Sequence, residues 1–295
     1  MLKPLKGSLF VLISALMFAS YGFFSRFTES YDVFFQVYVR CFFITIILVI
    51  VGLIRKDFKK IDRADLKWFI TICSFTIFSV SPILYAFRFL SLGTASFLFY
   101  GSTTIFTYIL GFLFFKEKLT GIKILVLIIA TIGLGLIFSF NFSSAFILPA
   151  LMALLNGFAS SGEVTFTKKV SEKYSNIQLV TTVFAAIGIT HMLLSLVLGE
   201  VQDFTLLTVK FPVILFWSLG SIAGMYTVVE GYKFLEPSIA AIVGLTEIIF
   251  SLILGIMFFS EAIEFNTLVG GILIILAAAL PNIIDIYKAK INKIR

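Results

Sequence analysis

Histidine and cysteine are almost missing from this chain. His191 is the one histidine in 295 residues, and Cys41 and Cys73 are the two cysteines. Both cysteines fall inside apolar runs, which excludes a disulfide framework and a cysteine metal site. One histidine excludes a histidine-rich metal centre, so neither metal nor cofactor is expected. Charge is scarce too. Charged residues make up 13% of the chain, against roughly 25% in a soluble domain. No long polar segment or low-complexity run leaves room for a further globular domain. No G-x-x-x-x-G-K-[ST] pattern occurs, so direct ATP use is not expected. No A-x-A-like cleavage site closes the apolar run after Lys3 and Lys6, which reads as a retained first helix.

What fills the chain is hydrophobic, at 60% of residues. A bilayer core needs about 20 apolar residues per helix. Ten windows qualify: 6–26, 34–54, 67–89, 95–115, 121–139, 146–167, 178–199, 212–233, 238–259 and 267–286. Pro149, Pro212 and Pro237 suit first helical turns. Pro82 falls inside the third window, where it removes a backbone hydrogen bond and kinks the helix. The net charge of +7 is not a nucleic-acid signature, because its placement follows membrane topology. Both termini and the even-numbered loops hold 19 of the 23 Lys and Arg residues. Lys and Arg stay on the cytoplasmic side, so both ends are expected there, in a plasma (inner) membrane.

The chain also repeats itself. Leu110-Gly111-Phe112-Leu113-Phe114-Phe115-Lys116-Glu117 recurs 144 residues later as Leu254-Gly255-Ile256-Met257-Phe258-Phe259-Ser260-Glu261. Phe18-Ala19-Ser20-Tyr21-Gly22 recurs 140 residues later as Phe158-Ala159-Ser160-Ser161-Gly162. Each copy carries five spans, so two copies in tandem must point in opposite directions across the membrane. The expected fold is an all-α membrane protein of ten transmembrane helices. It forms two inverted five-helix repeats, residues 1–141 and 142–295.

Several local motifs carry a family resemblance. They are Arg40 in Gln36-Val37-Tyr38-Val39-Arg40, Tyr85-Ala86-Phe87-Arg88-Phe89-Leu90, the glutamates Glu117 and Glu261, and Leu245-Thr246-Glu247-Ile248-Ile249-Phe250. Together they resemble the EamA-type ten-helix carriers of the drug/metabolite transporter superfamily, over essentially the whole chain. Isoleucine replaces the proline usual after Glu247, and Thr103-Thr104 stands at the matching place in helix four. The resemblance implies two bundled halves around a central cavity, with helices five and ten peripheral and a homodimer possible. It also implies transport of small polar metabolites, commonly amino acids and often outward.

Ionisable residues inside spans mark candidate chemistry, since each costs roughly 2.5–3.5 kcal/mol at the bilayer centre. Glu247 is deepest, roughly 13 Å into helix nine at 1.5 Å per residue. It suits a substrate ammonium or a coupling proton, or else a hydrogen bond to a neighbouring helix. Glu230 follows Tyr226 by a turn on helix eight, where the first copy has Tyr85; snorkelling or pairing with Lys233 is its alternative. Glu163 shares a face of helix six with Asn156 and Ser160, as a site residue or as polar glue between helices. Arg40 suits a substrate carboxylate, an internal ion pair or snorkelling. His191 is a relay candidate because histidine titrates near neutral pH, and otherwise a packing residue. Tyr21, Tyr85, Tyr100 and Thr104 are candidate cavity walls. The repeated Ala-Ser-x-Gly segments read as close helix contacts.

The first functional reading is a secondary carrier, by alternating access, of small polar metabolites, amino acids or related amines, with export the direction that the resemblance implies. Uptake of a cationic metabolite is the alternative, since buried acids outnumber buried bases. A channel is less favoured, because no ring of like charge or carbonyl filter is evident. An enzyme is not expected, because scattered glutamates and one histidine make no catalytic constellation.

Overall fold

The computed structural model describes residues 3–115, 120–138, 144–167, 169–232, 234 and 243–294. All regular structure among them is helical: α1 (Lys3–Arg26), α2 (Val33–Arg55), α3 (Arg63–Thr76), α4 (Ser81–Phe89), α5 (Leu92–Phe115), α6 (Gly121–Phe138), α7 (Ser144–Thr167), α8 (Asn176–Val197), a 3-10 turn (Phe204–Leu207), α9 (Phe211–Tyr232), α10 (Thr246–Phe259) and α11 (Phe265–Ile294). Helices are what lipid demands, because each satisfies its own backbone groups. Among the described residues, seven segments are long and apolar enough to cross a bilayer, and three shorter apolar helices accompany them. The chain is a multi-pass membrane protein.

α1 packs on α9 and α10, α2 on α8, α5 on α7, and α6 on α11, while α3 and α4 both lie along α7. The largest fully buried side chains include Trp217, Arg40, Phe35 and Phe97. Ile46, Leu53 and Ile54 on α2 face outward, as lipid-facing residues do. Glycine sets the tightest approaches. A Cβ on Gly133 of α6 would lie 2.7 Å from the Gly270 carbonyl of α11, and one on Gly270 would lie 2.5 Å from the Gly133 carbonyl. The Ala-Ser-x-Gly copies behave as close contacts too. A Cβ at Gly22 would meet Leu92 at 2.8 Å, and one at Gly162 would collide with the Phe75 ring.

The third window is interrupted rather than merely bent. Helix α3 ends at Thr76 and α4 begins at Ser81, with Pro82 in its first turn. Proline has no N–H for the carbonyl four residues earlier, which is that of Phe78. The Asn156 side chain of α7 donates to this carbonyl at 3.3 Å. Asn156 thereby replaces the donor that Pro82 lacks. Pro149 does not start a helix, contrary to expectation: α7 begins at Ser144 and carries Pro149 inside it. Pro212 is the second residue of α9. Pro237, Glu117, Lys233 and the start of the ninth window lie outside the described residues.

Candidate functional site

A cavity of about 1100 Å³ opens between α1, α7, α8 and α9. Its mouth lies at one membrane face, among Arg55, Asp57, Glu172, Tyr174 and Ser175. Its walls include Phe18, Met225, Tyr226, Glu163 and Glu230. A smaller void of about 40 Å³, lined by Phe69, Val183 and Met225, also borders Glu163. The Glu163 carboxyl reaches the Ser79 hydroxyl in the break between α3 and α4. A carboxyl so placed borders the cavity while standing inside the bundle.

The mouth is strapped together by polar contacts. Gln178 accepts from the Lys59 amide at 3.0 Å and donates to the Lys59 carbonyl at 2.6 Å. Ser175 donates to the Asp57 carbonyl. Lys173 contacts both Asp62 and Asp65. Its hydrogen bonds to these two carboxylates hold the Lys173 ammonium above the usual lysine range.

At the opposite face the helix ends are joined by polar contacts. Glu261 takes one bond from Arg26 at 2.9 Å and another from the Leu92 amide at 2.7 Å, at the start of α5. Arg26 also donates to the Leu90 carbonyl at 2.9 Å. Ser260, at φ 52°, reverses the chain after α10 and lets the Glu261 amide bond the Gly255 carbonyl. A side chain at Gly255 would collide with the Glu261 carboxylate. In the second copy the Gly-and-Glu spacing therefore has a steric reason, since Gly255 makes room for a carboxylate folded back upon it. Nearby, Glu200 caps α2 by accepting from the Phe34 and Phe35 amides at 3.1 and 2.7 Å. Asp32 accepts from the Val201 amide, and Arg88 donates to the Tyr31 carbonyl.

The candidate residues separate into groups. Glu163 and Glu230 share the cavity. Glu247 and Tyr100 pair with each other at 2.5 Å, joining α10 to α5, and neither is among the lining residues described above. Arg40 is fully buried, with its Cζ 4.5 Å from the Tyr21 ring and 4.0 Å from the Trp217 ring. Its burial is not that of a snorkelling side chain, and it forms no ion pair among the described residues. His191 is buried, with Nδ1 2.8 Å from the Ile187 carbonyl and Nε2 3.0 Å from Ser81 Oγ. That arrangement is the packed one. Tyr85 packs against Phe89 with ring centroids 4.9 Å apart and the planes tilted by 46°, and Thr104 is half-buried on α5. Tyr108, on the same stripe, packs with Val126, Ala130 and Ala277 rather than with the cavity. Sequence reasoning passed over Trp217 and the Arg26–Glu261 pair. A tryptophan within a span, away from the interfacial belts where tryptophan collects, was the available signal for the first.

These features define a class: a helical multi-pass membrane protein with a cavity inside the bundle that carries Glu163 and Glu230 on its walls. The chain belongs to the EamA-like transporter family, whose model matches it twice, over residues 5–139 and 147–283. It is therefore a membrane transporter by family. No curated protein matches it significantly. Among solved structures, one crystal structure is 13% identical, covers 94% of this chain and 96% of its own, and superposes with a TM-score of 0.66. At that identity the likeness shows the fold alone.

Proposed function

We propose that the protein is a secondary carrier that moves small polar metabolites, amino acids or related amines, outward by alternating access. One observation carries the reading. The cavity that holds Glu163 and Glu230 is open at one face, while Arg26 and Glu261 bind at the other. A carrier caught with one gate open has this form, and a continuous pore does not. The mouth lies among the lysine-rich loops, which the positive-inside rule puts in the cytoplasm. The chain is then inward-facing, with both termini cytoplasmic, in a plasma (inner) membrane.

Ten spans in two inverted repeats, 1–141 and 142–295, fit the packing. α1 of the first half rests on α9 and α10 of the second, while α7 of the second rests on α3, α4 and α5 of the first. A two-fold axis in the membrane plane would exchange these sets. α6 and α11 pair with each other and expose Ile128, Ile132, Ile272 and Leu276, a face suited to lipid or to a homodimer.

In this reading Glu163 replaces Glu247 as the first ammonium ligand, because Glu163 borders the open cavity. Glu230 assists it. Glu247 with Tyr100 marks the contact between the halves and is the coupling candidate. Uptake of a cationic metabolite is the second reading, favoured by Asp57, Glu163, Glu172 and Glu230 around the cavity against Arg55 among the described lining residues. Proteoliposome counterflow tests both. Preloaded unlabelled amino acid should drive uptake of labelled amino acid, and Glu163→Gln should lower the flux roughly tenfold or more, as expected for loss of a charged hydrogen bond. Flux of polyamines but not of zwitterions would select the second reading. Unchanged flux in the folded variant would remove Glu163 from the site.

A further inference from the structure

We propose that Arg40, with Trp217 and Ser218, forms a buried site for one small monovalent anion. Among the described residues, the three guanidinium nitrogens of Arg40 are buried with no oxygen or nitrogen acceptor, and Trp217 Nε1 and Ser218 Oγ on α9 are likewise unpaired. Such groups are rare, because buried polar atoms are almost always paired. Arginine cannot shed its proton to escape the problem. The Cys41 thiol stands beside it, but sulfur is a weak acceptor. The two flanking rings attract the cation through their faces, yet they satisfy no N–H in the ring plane.

The cluster thus holds one positive charge, unfilled N–H donors and a hydroxyl free to donate. An anion supplies what it lacks: negative charge and several lone pairs. The complete burial of Arg40 limits that anion to the size of a halide or a single carboxylate group. Tyr21 stands between the site and the cavity, since its ring lies against Arg40 and also meets Phe18, which lines the cavity. Movement of α1 would connect the two. The anion has two possible sources, a free halide or the carboxylate of a cargo molecule, and both present the same chemistry.

Trp217 reports occupancy without any transport measurement, so this inference stands or falls apart from the carrier reading. Trp68→Phe leaves Trp217 as the one tryptophan, there being two in the chain. The purified full-length variant is titrated at constant ionic strength, in sulfate buffer, with sodium chloride, sodium acetate and glycine. A saturable change in Trp217 emission is expected. Response to chloride assigns a free ion, response to acetate or glycine alone assigns a cargo carboxylate, and response to all assigns a shared site. Arg40→Lys keeps the charge but loses the fork, and should weaken the apparent affinity roughly tenfold. Ser218→Ala should weaken it less. Absence of a saturable response to every one of these anions in the folded Trp68→Phe protein overturns the proposal.

Discussion

Glu261→Gln should loosen the closed face. The substitution keeps shape and removes charge. Glu261 accepts two bonds, and its side chain and that of Arg26 are 11% and 20% exposed. A hydrogen bond to a charged group contributes about 1.5–3 kcal/mol. Glutamine retains an amide oxygen for one partner, and partial exposure favours the low end. The net loss is then about 1.5 kcal/mol, or roughly a tenfold shift in the ratio of open to closed. Ser25, one residue before Arg26 and 6% exposed, is a suitable reporter. In a Cys41→Ser, Cys73→Ser, Ser25→Cys background, an impermeant maleimide added from that side should label roughly ten times faster once Glu261→Gln is introduced. Glu264→Gln, at an exposed position, should leave the rate unchanged. Equal labelling with and without Glu261→Gln would refute the reasoning. The repeat in the sequence adds a sign test. Glu117 occupies the matching place in the first copy, outside the described residues, and Glu117→Gln should slow Ser25→Cys labelling instead.

Three further outcomes are expected. Tyr100→Phe and Glu247→Gln, alone and combined, should show a coupling of about 1–2 kcal/mol in thermal or denaturant unfolding; additive losses would mean the bond contributes nothing. Asn156→Ala should cost about 1–3 kcal/mol by leaving the Phe78 carbonyl unpaired. Pro82→Ala, which restores the missing N–H, should recover much of that in the double variant. The folded pKa of Lys173 is raised, so its contribution is present below the ordinary lysine range and lost as pH rises through the raised value. The Tm gap between wild type and Lys173→Met should therefore close in strong alkali, and a gap independent of pH would reject the linkage.

Much of the architecture was readable in advance. The apolar windows match the helices closely because lipid imposes length and composition together, as 34–54 against Val33–Arg55 illustrates. The Pro82 interruption was readable because proline's missing donor is a local fact. Pro149 misled, since proline is tolerated inside membrane helices when neighbours satisfy the backbone. Residue types suggested that Glu163 and Arg40 matter, but not which side of the bundle each faces. Depth favoured Glu247, yet a helix rotation of a few tens of degrees decides between a cavity wall and an interhelical bond, and composition does not encode that angle. The Arg26–Glu261 pair joins residues from opposite ends of the chain, beyond the reach of any local pattern.

The Asn156 bond has a mechanical meaning. A strut from one half of the molecule repairs a fracture in the other. Sliding α7 by a single turn would carry Asn156 about 5.4 Å along its axis, far enough to abandon Phe78. Any stroke of α7 that displaces Glu163, two turns along the same helix, must therefore either drag the fractured segment with it or leave a naked carbonyl in the bilayer interior. Of the two, dragging costs less, which ties the acid on the cavity wall to the elbow of its neighbour like a piston to its crank.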